Sequence, residues 1–101
     1  MPEAPKQTIQ IQLDEAVSGG IYSNLAIITH SPAEFIIDFS RVVPGVPKAK
    51  VLSRIIMTPQ HVKSLYLTLG KNIEKFQNQF GEIKPMGREA EKDFGFKIEK
   101  A

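Results

Sequence analysis

The stretch from Thr58 to Gly81 constrains the fold most strongly, because it carries a start signal, one apolar stripe and a stop signal in sequence. The Thr58 hydroxyl can cap an orphan backbone N–H, and Pro59 suits the first helical position, where a missing donor costs nothing. Val62, Leu65, Leu69, Ile73, Phe76 and Phe80 recur at steps of three or four and define one face of a helix. Lys63, Lys71, Glu74, Lys75 and Asn78 fall off that face, and Gly81 is a natural terminator. Gly70, inside the helix, is expected to cost about 1 kcal/mol against alanine and to mark a close packing contact.

Before this helix the apolar period changes from helical to strand-like. Ile9, Ile11 and Leu13 alternate with Gln10, Gln12 and Asp14, which predicts a first strand over Thr8–Asp14 with one buried and one wet face. Ser18-Gly19-Gly20 breaks the run. A second strand is expected over Ile21–His30, a third over Glu34–Val43 and a fourth over Lys50–Met57. Ser31-Pro32 and Pro44-Gly45-Val46-Pro47 supply the turns between them. The connections are too short for helical crossovers, so the strands should form an antiparallel meander. The expected architecture is α+β: a four-stranded antiparallel meander followed by one long C-terminal helix packed on one sheet face.

At 101 residues the chain has room for a single domain, here residues 8–81, after a flexible N-terminus at 1–7. Residues 82–101 form a mixed-charge tail in which Phe94, Phe96 and Ile98 alternate, so a short fifth strand at 93–98 is an open alternative to a disordered tail. Hydrophobic residues make up 42% of the chain, enough to exclude wholesale disorder. The N-terminus has no secretory apolar core, and no run approaches the ~20 apolar residues of a membrane span. A soluble cytoplasmic protein is the expectation.

The search for chemistry returns little. With no cysteine, thiolate catalysis, disulfides and cysteine-ligated zinc are excluded. His30 beside a turn and His61 in the first helical turn do not form a metal-ligand spacing. Glu34 and Asp38 would lie about 13 Å apart along a strand, too wide for a close carboxylate pair. No serine sits in a nucleophile elbow and neither phosphate-loop pattern occurs. No enzymatic activity and no cofactor are expected.

The unusual feature is an excess of apolar residues over what one helix can cover. If Phe35, Ile37 and Phe39 face the helix, then Tyr22, Ala26, Ile28, Ile36, Leu52 and Ile56 remain on the other side of the sheet. A patch of that size calls for cover: the tail, a second copy or a client protein. Self-association, with a dimer favoured, is the preferred solution. Asp38 and Arg54 fall on neighbouring strands, where they could pair across the sheet or across a dimer interface, or simply be solvated. Between residues 41 and 54 there is no acidic residue, so Arg41, Lys48, Lys50 and Arg54 could contact phosphates, with Tyr22, Phe35 and Phe39 available for stacking. The net charge of only +2 weighs against a dedicated nucleic-acid binder.

Taken together, Ile21-Tyr22-Ser23-Asn24, Ser31-Pro32-Ala33-Glu34-Phe35, Asp38-Phe39, Arg54-Ile55-Ile56-Met57-Thr58-Pro59 and Asn72-Ile73 resemble a small bacterial family classified only as a domain of unknown function. The likeness spans roughly residues 8–83 and implies no activity, substrate or catalytic residue. A looser resemblance, in element order alone, is to the SecB export chaperones, which place a four-stranded antiparallel sheet before a long helix and assemble by packing such units together. The coactivator-like single-strand DNA binders, with a curved sheet, one helix and a dimeric assembly, match in the same limited sense. The leading expectation is a non-enzymatic protein-interaction module, chaperone-like in using its apolar sheet face for self-association or client binding. The alternative is a single-stranded nucleic-acid binder acting through the 41–54 hairpin.

Overall fold

Three strands, not four, form the sheet. In a computed structural model that describes residues 7–85, they run over Leu25–His30 (β1), Phe35–Ser40 (β2) and Val51–Met57 (β3). A four-residue helix, α1 (Glu15–Ser18), precedes them, and α2 (Pro59–Phe80) follows. Both strand pairings are antiparallel and the order is β1-β2-β3, the meander expected from the short connections. The predicted first strand is the correction: residues 8–14 join no ladder, and α1 follows directly. Alternation sets which side chains share a face, but a strand also needs a neighbour for its backbone, and this segment has none among the described residues. The other three strands are shorter than their apolar runs, since residues 21–24 and 41–43 lie outside the sheet.

The turns explain the register. Ser31 closes the first hairpin: its N–H donates to the Glu34 carbonyl at 2.9 Å, and its Oγ accepts from the N–H groups of Ala33 and Glu34 at 3.3 Å. Four loop residues then set His30 opposite Phe35, where the rings stack at 5.3 Å. Phe35 lies in turn opposite Met57. A bulge between Phe39 and Ser40 shifts the far end of β2, so that Ser40 meets Val51. Gly45 in the second connection has φ +83°, the left-handed region that glycine occupies freely.

The chain divides into two units after Met57. The second contains α2, whose limits match the signals in the sequence. Thr58 Oγ1 accepts from the His61 N–H at 3.2 Å, Pro59 occupies the first turn, and the Gly81 N–H donates to the Gln77 carbonyl at 2.9 Å. Gly81 takes φ +103°, which stops the helix. Phe76 and Phe80 pack ring against ring at 4.9 Å along the apolar stripe. The suggested fifth strand at 93–98 lies outside the described residues.

Candidate functional site: an apolar sheet and a cationic loop

Pairing partners share a face, so the register assigns both sides of the sheet. One side, face A, carries Ala26, Ile28 and His30 from β1, Phe35, Ile37 and Phe39 from β2, and Ser53, Ile55 and Met57 from β3. The other, face B, carries Leu25, Ile27 and Thr29, then Ile36, Asp38 and Ser40, then Arg54 and Ile56, with Val51 opposite Ser40 and Leu52 left without a partner by the bulge. The six-residue patch expected from the sequence is therefore divided. Ile36 and Ile56 stay together on face B and Leu52 is the residue the bulge leaves unpaired, whereas Ala26 and Ile28 lie on face A beside Phe39 and Ile37. The phase within β1 is as expected; its phase against β2 depends on loop length, and a four-residue loop pairs even-numbered residues of β1 with odd-numbered residues of β2. Tyr22 belongs to neither face, since it precedes β1 and carries Arg41 over its ring at 5.5 Å.

Within the first unit both faces carry exposed apolar side chains. Among the described residues, Ile37 is the only hydrophobic side chain that is buried, at 6% exposure. Ile28 on face A is 59% exposed and Ile56 on face B is 54% exposed. Face A carries a hollow of about 780 Å³, bounded by Ala16 and Val17 of α1, by Ile21 and by Phe39 and Ile55 of the sheet. On α2, Leu65, Leu69, Ile73, Phe76 and Phe80 are likewise exposed.

The polar residues that are buried stabilise β2 at the centre of the sheet. Asp38 on β2 and Arg54 on β3 stand opposite each other and form a bidentate pair, with Arg54 Nε donating to Oδ1 at 2.7 Å and Nη2 to Oδ2 at 2.9 Å. Hydrogen bonding to Arg54 holds the Asp38 carboxyl below its ordinary value and the Arg54 guanidinium above its own; desolvation opposes both shifts. The pairing anticipated for Asp38 and Arg54 is present, and it engages one of the four cations considered for phosphate contact.

A second cluster escaped the sequence reading. Asn24 uses its amide as a false strand end: Nδ2 donates to the Val42 carbonyl at 3.0 Å and Oδ1 accepts from the Val42 N–H at 2.7 Å. The Asn24 N–H donates to the Ser40 carbonyl at 3.1 Å, and the Ser23 hydroxyl donates to the same oxygen at 2.8 Å. Ser23 and Asn24 thereby fasten the start of β1 to the end of β2 past the bulge. Their place in the Tyr22-Ser23-Asn24 signature was the available signal.

The remaining cations gather in the β2–β3 connection. Arg41, Lys48 and Lys50 line a groove of about 440 Å³ together with Tyr22, Val46 and Leu52. Among the described residues there is no group of three side chains suited to a metal ion, and no helix is long and apolar enough to cross a membrane.

Residues 1–85 match the family described as proteins of unknown function, DUF3467, and the chain belongs to that family. This is the kind of family the sequence signature pointed to. No curated protein and no solved structure matches the chain. The looser likeness to SecB therefore gains no support.

Proposed function

We propose that the protein is a cytoplasmic, non-enzymatic interaction module that works by self-association, with the apolar sheet and the α2 stripe covered in the assembly. One observation carries this reading: among the described residues Ile37 is the one buried hydrophobic side chain, while large apolar side chains stand exposed on both sheet faces and along the helix. Monomers rarely leave more than a few hundred Å² of contiguous apolar surface in water. A specific interface removes about 800 Å² per partner from solvent, and surface of this kind supplies it. Packing of the α2 stripe on a sheet face belongs to the same proposal, because each offers the apolar area the other needs. A chaperone-like role would follow if a client could compete for that surface.

Light scattering across a concentration series tests the reading. The expected result is a dimer or larger species at micromolar concentration, shifted toward monomer by Ile28→Lys. A monomer at every concentration overturns it.

A second reading has its own observation, the convergence of Arg41, Lys48 and Lys50 on a groove beside Tyr22. Phosphates of a single strand would meet these cations, and affinity would fall steeply with added salt. Single-stranded oligonucleotides should then bind at low salt and lose affinity in an Arg41→Ala, Lys48→Ala, Lys50→Ala variant. Binding that ignores both salt and these substitutions excludes the groove.

A further inference from the structure

The segment from Thr8 to Asp14 has the alternation of a strand and, among the described residues, no sheet to join. Its side chains keep the two-residue period: Gln12 Nε2 donates to Asp14 Oδ1 at 2.7 Å on one side of the segment. Ile9, Ile11 and Leu13 hold the alternate positions and are 72%, 90% and 68% exposed. No backbone hydrogen bond outside regular elements involves residues 8–13, and the segment joins neither strand pairing. A backbone of this kind can be satisfied by water, but three large aliphatic side chains on one side cannot.

The sheet offers what the segment lacks. With the order β1-β2-β3, both β1 and β3 have one edge unpaired among the described residues. An exposed edge without prolines, and with few charges, is a template for another chain. Of the two, β3 is the better match. It has seven residues, as the segment has, against six in β1. The charges also agree: Asp14 is the one charged residue between 8 and 14, β3 carries Arg54 and follows Lys50, and β1 holds no lysine or arginine.

We propose that residues 8–14 of one copy add as an antiparallel edge strand to β3 of a second copy, and that the exchange is reciprocal. The inference rests on the self-association reading and names how it is achieved. In the register that aligns Leu13 with Ser53, Ile11 with Ile55 and Ile9 with Met57, the three aliphatic residues extend face A. Gln12 then lies opposite Arg54, and Asp14 falls opposite Leu52, diagonal to Lys50 and Arg54 on face B. Two such exchanges related by a two-fold axis complete both sheets to four strands and satisfy the interface twice, as an isologous contact requires. One added strand falls short of the roughly 800 Å² per partner of a stable interface; the second exchange and the hollow beside α1 add to it.

Because the chain contains no cysteine, single substitutions give an unambiguous test. Ile11→Cys chains, isotopically labelled, are mixed with unlabelled Ile55→Cys chains and oxidised, in parallel with an Ile11→Cys and Ile28→Cys mixture that reports the β1 edge. The expected result is a labelled–unlabelled disulfide in the first mixture at several times the yield of the second. Ile11→Pro, which removes a backbone donor, should raise the dissociation constant on the order of tenfold or more while leaving the circular dichroism of the sheet and helix unchanged. A preferred link to Ile28 overturns the proposal. So does a dimer by mass with no link to either edge, or one indifferent to Ile11→Pro, although self-association itself would then stand. A monomer removes both.

Discussion

Asp38 shows how a single residue can be buried and charged in so thin a structure. It sits at the middle of the central strand, where its carboxylate loses water and receives two hydrogen bonds from Arg54 in return. The folded carboxyl titrates below the ordinary aspartate value of 3.8, and the unfolded one near it. The pair's contribution is therefore fully present above the unfolded value and is lost as the pH falls through the folded one. Asp38→Asn should lower the thermal midpoint at neutral pH and flatten the loss of stability below about pH 4, which acid titration followed by circular dichroism will read. The partnership was legible in the sequence, since aspartate and arginine at facing positions of adjacent strands have few better partners. The Asn24 clamp was not legible, because an amide that imitates a strand end can be recognised only once its facing backbone is known.

Among the elements, α2 was the most readable and the N-terminal strand the least. The helix carries its own instructions: Thr58, Pro59 and Gly81 act on backbone groups within one turn. A strand's alternation says nothing about who pairs with it, so Thr8–Asp14 had the right pattern and no neighbour among the described residues. The loop at 31–34 decided which halves of β1 and β2 share a side, and a one-residue difference there divided the expected patch. Gly70 offers a test at this scale. A Cβ built on it meets no atom within 4 Å, so the tight packing expected from the sequence does not occur among the described residues of its own unit. Gly70→Ala should therefore stabilise the protein by about 1 kcal/mol in chemical denaturation. A loss instead would mean that a partner backbone approaches the helix at that point.

At the scale of the whole molecule, surface dominates over interior. The sheet and α2 each present an apolar side to water, and both the assembly and the strand exchange argued above respond to that imbalance. The cationic groove at Arg41, Lys48 and Lys50 stands apart from it, because its residues need no apolar cover. The scarcity of buried aliphatic side chains beyond Ile37 has a consequence for how such a protein behaves in a cell. If neighbours complete the interior, folding and association become one equilibrium, and the melting temperature rises with the number of copies present. Abundance would then act as a rheostat: scarce chains remain open to proteolysis, and plentiful ones protect each other.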